Sequence, residues 1–397
     1  MRLNIGLFND SFPPTIDGVA NTVVNYAYHI QKNHGAAIVA TPKYPHVTDE
    51  YPFEVCRYSS VPIIGPLTYR LGNPISPLTI AELRQKKLDL IHVHSPFASS
   101  VLARQVTLPK RYRVPVVFTY HTKYEVDTAK FLPNKRLQKA LLRFILHNVK
   151  LADEVWTVSQ GAGESLREIG YRGDYRVMPN GTDFARGLAS EKETAELRRI
   201  YNLQKEELVF LFVGRMMWYK NIQIIVDTLC LLKQSGLRFR AFFVGDGNDR
   251  PAIEQYALDR GLAKEAVFTG AIYDREKIRA YYSIADLFLF PSTYDTAGLV
   301  VKEAAACNCS SLLVAGSCAA EGVVDGVSGL LAEENAESCA AKILAAANGE
   351  NAFARLGENA ARQVYLSWEA AVAKAYDRYE EIIRKWPNPL PGLNKNL

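Results

Sequence analysis

The residue types best suited to chemistry lie in the stretch PSTYDTAGLVVKEAAA, residues 291–306. Seven residues separate the carboxylates Asp295 and Glu303, and a helix of small residues is predicted to begin at about Gly298. A glycine there lets a ligand approach the free N–H groups of the first turn, where the helix dipole favours an anion such as a diphosphate. The two carboxylates could then bind hydroxyls on either side of it, which suits a sugar nucleotide. The spacing alone leaves open that Glu303 is a solvated helix residue.

A pair of cations follows the apolar segment 208–214, in the stretch GRMMWYKN. Arg215 and Lys220 stand five residues apart at a predicted strand end, where the guanidinium can bind a phosphate as a fork and the ammonium as a point charge. The pair predicts a diphosphate site, with an exposed basic turn as the alternative. The sequence has no D-x-D carboxylate pair of the kind that holds Mg²⁺ on a diphosphate, so we expect no metal and no cofactor.

Three further candidates lie in the first half of the chain. Gly18, within FNDSFPPTIDGVANTVV, precedes a predicted helix and would admit a phosphate close to the backbone, although no G-x-G-x-x-G fingerprint occurs. His121 ends the predicted strand 116–121, where a lone histidine is more often structural than catalytic. His94 ends the predicted strand 90–94 and is the weaker of the two histidines.

Length and composition favour a two-domain globular protein. A chain of 397 residues with 48% hydrophobic and 22% charged residues fits two domains of about 180–200 residues. No apolar run reaches the roughly 18–20 residues of a membrane helix, and the first residues indicate a buried strand and not a signal peptide. The six cysteines show no C-x-x-C pair. We therefore expect a cytoplasmic protein with buried thiols and no disulfide framework.

Short apolar runs alternate with helical patterns along both halves of the chain, which predicts two doubly wound parallel sheets facing a cleft. The predicted domains are 1–185 and 205–366, with a linker at 186–204 and a C-terminal helix and tail at 367–397. The predicted strands are 3–8, 37–40, 90–94, 116–121, 154–158 and 176–178 in the first half, and 208–214, 239–245, 266–269, 287–290 and 311–314 in the second.

Positive charge is concentrated in the first half. Residues 90–152 contain eleven Lys and Arg against Glu125 and Asp127, a balance of +9 in a chain of net charge +5. Within them, the predicted helix NKRLQKALLRFILHNVK has a basic stripe and an apolar stripe and contains no acidic residue. The basic stripe comprises Arg136, Lys139, Arg143, His147 and Lys150, and the apolar stripe Leu137, Leu141, Phe144 and Ile145. A solvated helix face and an anionic membrane surface both explain this pattern, whereas nucleic-acid binding motifs are missing.

The motif at Asp295 and Glu303 closely resembles the E-x7-E motif of retaining glycosyltransferases of family 4, which have the GT-B fold. The resemblance covers nearly the whole chain, and the motifs that carry it appear in the family's order. It also implies a C-terminal helix that crosses back onto the first domain. The sequence departs from the pattern with Asp295 for Glu, Asn308 for Gly and Asp17 for Gly.

The resemblance also implies roles for single residues. Asp295 would hold the donor sugar and Glu303 the ribose. His121, in a Y-H-T run, would contact the donor sugar or the acceptor. The donor-binding residues would be Gly18, Arg215, Lys220, Gly245, Gly298, Leu299 and Val300.

The activity that the resemblance implies is metal-independent transfer of a hexose from a nucleotide-diphosphate sugar to a hydroxyl acceptor. The anomeric configuration of the hexose is retained. UDP-glucose is the expected donor, because the YHT and IDGVANTV runs resemble members that glucosylate diacylglycerol. A membrane lipid is the expected acceptor, with Arg136, Lys139, Arg143 and Lys150 facing an anionic membrane and the protein peripheral on its cytoplasmic face. The alternatives are a soluble or saccharide acceptor, a catalytically silent nucleotide-binding module, and a sugar-nucleotide epimerase.

Overall fold

Two separate parallel sheets result from the alternation of apolar strands and amphipathic helices. The computed structural model describes residues 2–15, 17–62, 70–108 and 112–386, without the side chains of 127, 130 and 131. The first unit contains the chain up to Asn180 together with the segment from Trp368 onward, and the second is Gly181–Ser367. The boundary thus falls five residues before the predicted one, and the predicted linker 186–204 lies within the second unit.

The first unit is built on a seven-stranded parallel sheet with the order β3-β2-β1-β6-β7-β8-β9, and β4 and β5 form a separate antiparallel pair. Its strands are β1 Asn4–Phe8, β2 Ala36–Pro42, β3 Glu54–Tyr58, β4 Ser60–Pro62, β5 Arg70–Gly72, β6 Leu90–Val93, β7 Val116–Tyr120, β8 Glu154–Thr157 and β9 Arg176–Val177. Its helices are α1 Gly18–Asn33, α2 Pro77–Gln85, α3 Ala98–Thr107, α4 Tyr124–Phe131, α5 Lys135–Val149 and α6 Gln160–Glu168.

The second unit is built on a six-stranded parallel sheet with the order β12-β11-β10-β13-β14-β15. Its strands are β10 Leu208–Val213, β11 Phe239–Val244, β12 Ala266–Gly270, β13 Leu287–Leu289, β14 Ser310–Val314 and β15 Gly329–Ala332. Its helices are α7 Glu191–Ile200, α8 Ile222–Gln234, α9 Arg250–Asp259, α10 Arg275–Ile284, α11 Leu299–Ala306, α12 Ala336–Ala347 and α13 Ala352–Gln363.

All eleven predicted strands are confirmed to within two residues at each end. The strands that sequence reasoning missed are short or lie at an edge. Strand β3 alternates exposed and buried positions at the edge of its sheet, and β15 has only four residues. Such strands lack the continuous apolar run that marks a strand buried on both faces.

The last helix, α14 Trp368–Lys385, belongs to the first unit, as the family resemblance predicts. One face of this helix is buried, with Ala375 and Tyr379 wholly inaccessible. The hydroxyl of Tyr376 accepts a hydrogen bond of 2.8 Å from the N–H of Leu3, and Arg378 binds both carboxylate oxygens of Glu154. Helix α14 therefore packs within the first unit, next to β1 and β8.

Candidate active site

The motif helix α11 begins at Gly298 without a side-chain cap. Gly298 has φ 54°, in the left-handed region, and an added Cβ would lie 3.0 Å from Cα of Ala319. The first turn of a helix has N–H groups with no partner inside the helix, so those of Leu299 and Val300 are available to an anion. Helix α11 thus begins without a side-chain cap, at a glycine beside which there is little room for a side chain.

Lys220 and Asp295, predicted to bind different parts of a donor, form an ion pair. The Lys220 ammonium lies 2.8 Å from both carboxylate oxygens of Asp295, and the Ser292 hydroxyl also donates to this carboxylate. Lys220 is positioned by the left-handed residue Asn221, whose amide donates to the carbonyl of Pro291 at 2.9 Å. The structure therefore joins Lys220 to the motif loop through an ion pair with Asp295.

The other predicted phosphate ligand, Arg215, is exposed and makes no hydrogen bond or ion pair with the part of the chain that the structure describes. Gly245, predicted to lie near a nucleotide, has a packing role. An added Cβ there would lie 2.0 Å from the carbonyl oxygen of Gly214, so β10 and β11 can end this close together only with glycine. No distance in the structure tests whether Gly245 also contacts a ligand.

Glu303 is buried and held by two side chains, so the interpretation as a solvated helix residue is wrong. One of its oxygens accepts from Arg275 at 2.8 Å and the other from the Tyr282 hydroxyl at 3.2 Å. Arg275 also forms an ion pair with Asp183. Burial raises the pKa of Glu303 above its ordinary value, and the charge of Arg275 opposes that rise. Sequence reasoning missed Arg275, because no local pattern links it to a carboxylate 28 residues away.

In the first unit, His94 and His121 lie at the carboxyl ends of the neighbouring strands β6 and β7. Nδ1 of His94 and Nε2 of His121 are 3.0 Å apart, and both rings are buried. Burial lowers the pKa of His121 to about 3 and also lowers that of His94. Both imidazoles are therefore neutral at physiological pH. The structure brings His121, the main candidate of the first unit, into direct contact with His94, the weaker candidate.

Gly18, predicted to bind the donor, is the first residue of α1, a helix whose start carries a side-chain cap. Asp17 caps this helix, and its carboxylate accepts from the N–H groups of Val19 at 2.8 Å and Ala20 at 2.7 Å. Space beside Gly18 is open, since nothing lies within 4 Å of an added Cβ. The side chain of Asp17 therefore already satisfies the amides of Val19 and Ala20 at this helix start.

Helix α5 exposes both cations and apolar side chains. Arg136, Lys139, Arg143 and Lys150 are all exposed and form no ion pair with the described residues. The neighbouring apolar stripe is only partly buried, because Leu137 is 56% and Phe144 43% exposed. Ile145 is fully buried and anchors the helix. Of the +9 stretch, Lys110 and Arg111 lie outside the described residues, as do the side chains of Asp127 and Lys130.

No helix among the described residues is long and apolar enough to cross a bilayer. Those residues also hold no group of three or more His, Cys, Asp or Glu side chains arranged for a metal ion.

Two doubly wound units with parallel sheets in one chain are the architecture of the GT-B glycosyltransferases. Residues 16–186 match the model of Glycosyltransferase Family 4, and residues 193–363 match that of Glycosyl transferases group 1. The fold is also that of the Anabaena protein Alr3699/HepE, solved in complex with UDP and glucose. That structure has a TM-score of 0.72 and 19% identity, and the match covers 96% of this chain and 100% of that one.

Two curated relatives are similar to this chain in sequence. An alpha-monoglucosyldiacylglycerol synthase of Streptococcus pneumoniae is 27% identical over 77% of this chain and 69% of its own length. A GDP-mannose-dependent alpha-mannosyltransferase of Mycobacterium tuberculosis is 30% identical over 77% of each chain. The chain belongs to the family 4 glycosyltransferases with a group 1 C-terminal domain, and it is a hexosyltransferase.

Proposed function

We propose that this enzyme transfers a hexose, with glucose the expected sugar, from a nucleotide-diphosphate donor to a hydroxyl of a membrane lipid. Transfer retains the anomeric configuration and needs no metal ion. The observation that carries the proposal is the group formed by the uncapped helix start at Gly298 and the Lys220–Asp295 pair. This group offers backbone donors, a buried cation and a carboxylate at the carboxyl ends of the neighbouring strands β10 and β13, and these are the groups that a sugar diphosphate requires.

The diphosphate is the leaving group, and the second unit offers three sources of positive potential for it. Lys220, exposed Arg215 and the N–H groups at the start of α11 stabilise the charge that develops as the glycosidic bond to phosphate breaks. A metal ion performs this task in enzymes that hold one through a carboxylate pair. Metal independence is proposed here because fixed cations and a helix dipole can carry the same charge.

The transfer step breaks the bond between the anomeric carbon and the phosphate oxygen and forms the bond to the acceptor oxygen on the same face. The acceptor's hydroxyl proton passes to the departing phosphate. Asp295, released from Lys220 when the diphosphate binds, accepts from hydroxyls of the donor sugar. Glu303, held by Arg275 and Tyr282, accepts from the ribose with its remaining lone pairs.

A membrane acceptor is supported by the exposed face of α5 and by the name of the Streptococcus pneumoniae relative. Each cation near an anionic membrane contributes about 1 kcal/mol of attraction. Leu137 and Phe144 add exposed apolar area beside the cations, and the two kinds of group together are typical of a helix lying in a membrane interface. We therefore place the enzyme as a peripheral protein on the cytoplasmic face of the membrane.

The test is incubation of the protein with UDP- and GDP-sugars and diacylglycerol in anionic vesicles, with a saccharide acceptor in parallel. We expect nucleotide release and a lipid product of retained configuration, measured by NMR of the anomeric proton. Lys220→Ala should abolish release, whereas Lys233→Ala, remote from the motif loop, should not. Nucleotide binding without turnover on any acceptor would show a silent module, and transfer only to the saccharide would refute the lipid acceptor.

A further inference from the structure

One exposed carboxylate, that of Glu334, joins three loops at the carboxyl edge of the second sheet. Its Oε1 accepts a hydrogen bond from Nδ2 of Asn221 at 2.6 Å and another from the Thr293 hydroxyl at 3.1 Å. Asn221 lies in the loop after β10, Thr293 in the loop after β13 and Glu334 in the loop after β15. Glu334 therefore connects two loops to which it is not close in sequence, at separations of 113 and 41 residues.

Asn221, the residue directly after Lys220, is held through its side chain and its backbone. Its Nδ2 donates to Glu334 and also to the carbonyl oxygen of Pro291 at 2.9 Å, as an amide nitrogen with two protons can. Its backbone is left-handed, with φ 58° and ψ 31°, a conformation that asparagine tolerates better than most residues. Its N–H donates to the carbonyl oxygen of Trp218 at 2.9 Å. The chain is therefore fixed at the residue that follows Lys220.

The contacts of Asn221 are separate from the ion pair between Lys220 and Asp295. Under the proposed function a diphosphate replaces Asp295 on Lys220, and this ion pair then no longer joins the loop after β10 to the motif loop. The hydrogen bonds from Asn221 to Pro291 and to Glu334 involve neither charged group, so they persist during that exchange. They consequently contribute most to the position of Lys220 when the ion pair is open.

We propose that Glu334 is a positioning residue that holds Lys220 in place for the diphosphate, acting through Asn221 and Thr293. This role rests on the proposed function, because Lys220 is there a ligand of the diphosphate. The role requires an oxygen that accepts two hydrogen bonds and does not require a negative charge. Glutamine supplies such an oxygen on a side chain of the same length, whereas alanine does not.

Calorimetry of UDP binding to the full chain separates positioning from charge. We expect Glu334→Ala to weaken binding about tenfold and Glu334→Gln to stay within about twofold of the wild type, at equal folded fraction by circular dichroism. Loss of a negative charge near an anion predicts tighter binding for both variants, the opposite result. Glu337→Ala, which removes an exposed carboxylate from the first turn of α12, is the matched control and should bind as the wild type does. Equal binding by the Ala and Gln variants of Glu334 would overturn the proposal.

Hydrogen exchange of the free protein tests the same contacts without a nucleotide. The ion pair still joins the loops in the wild-type background, so Glu334→Ala should raise amide exchange in residues 217–222 by less than about twofold. In the Asp295→Asn background it should raise that exchange about fivefold or more, and Glu334→Gln should not. Equal effects in the two backgrounds would overturn the proposal. A wild-type protein that binds no UDP would instead refute the proposed function, and the exchange data would still decide whether Glu334 holds the loop of Lys220.

Discussion

The Lys220 ammonium is shared between both oxygens of Asp295 at 2.8 Å, and the side chain of Lys220 is only 10% exposed. The cation that we propose for the diphosphate thus already pairs with a carboxylate of the motif loop. Under the proposed function, binding of a donor would exchange this internal anion for the diphosphate. The same exchange would release Asp295 toward the sugar hydroxyls.

Asp295→Asn is expected to bind the free nucleoside diphosphate more tightly and to transfer sugar more slowly. Removing the internal anion should raise affinity for UDP by about fivefold, equivalent to about 1 kcal/mol, because Lys220 no longer exchanges partners. Loss of the carboxylate should lower kcat by about tenfold or more. Calorimetry measures the first effect and nucleotide release the second. Asp259→Asn, on an exposed part of α9, should change neither, and weaker UDP binding by Asp295→Asn would contradict the exchange.

Asp295→Glu introduces the longer carboxylate side chain of the E-x7-E motif that this segment resembles. A catalytically silent module should show no turnover before or after this change. A working enzyme should show a clear change in rate or in donor preference, because the carboxylate moves by one methylene relative to Lys220. The measurement is the initial rate of nucleotide release over a panel of UDP- and GDP-sugars.

Gly298→Ala should reduce both stability and donor binding. A left-handed φ costs a residue with a side chain about 1–2 kcal/mol, and the added Cβ would also press on Ala319 at 3.0 Å. Gly236→Ala is the matched control, since Gly236 has φ 84° and nothing lies within 4 Å of its added Cβ. We expect the control to lose about 1 kcal/mol in urea unfolding with unchanged UDP affinity. Equal effects of the two changes would argue against a ligand at the start of α11.

Arg275→Gln should destabilise the protein more at pH 8 than at pH 5. Burial already raises the pKa of Glu303 above 4.5, and loss of the Arg275 charge raises it further. A native pKa above the unfolded value gives stability that is present at low pH and is lost as pH rises through the native pKa. Unfolding by urea should show a loss of about 2–4 kcal/mol at pH 8 and a smaller loss at pH 5. In the Arg275→Gln, Glu303→Gln double variant this additional pH dependence should disappear.

Replacing Arg136, Lys139, Arg143 and Lys150 with Gln should abolish flotation with anionic vesicles at low salt. Four cations contribute about 4 kcal/mol to such binding, and salt screens charges over about 10 Å at 0.1 M. A control of equal charge change replaces four exposed cations of the second unit, Arg199, Lys205, Lys264 and Lys277, with Gln. Vesicle binding that survives the first set, or that falls equally with both, would refute a membrane face on α5.

A separate change tests the apolar half of that face. Leu137→Ser with Phe144→Ser should weaken vesicle binding at every salt concentration, because insertion of apolar side chains is not screened by ions. The salt dependence that remains should be that of the four cations. If the double change has no effect, the helix contacts the membrane through charge alone.

The sequence by itself determined the two parallel sheets, the helix start at Gly298 and the positions of Arg215 and Lys220 at a strand end. These features are local: an apolar run, a glycine or a charged pair acts within a few residues and is visible in the chain. The family resemblance also indicated that the last helix belongs to the first unit, which is confirmed by the packing of Tyr376 and Tyr379.

Only the tertiary structure decided which of these groups meet. Lys220 and Asp295 are 75 residues apart, and Arg275 and Glu303 are 28 apart, yet each pair is in direct contact. The link between His94 and His121, which are 27 residues apart, likewise exists because β6 and β7 are neighbours in the sheet. The exposure of Leu137 and Phe144 depends on which side of α5 packs on its unit. Side-chain partners and burial depend on how elements pack over long sequence distances, so local pattern can propose a residue for the site but cannot determine its partner.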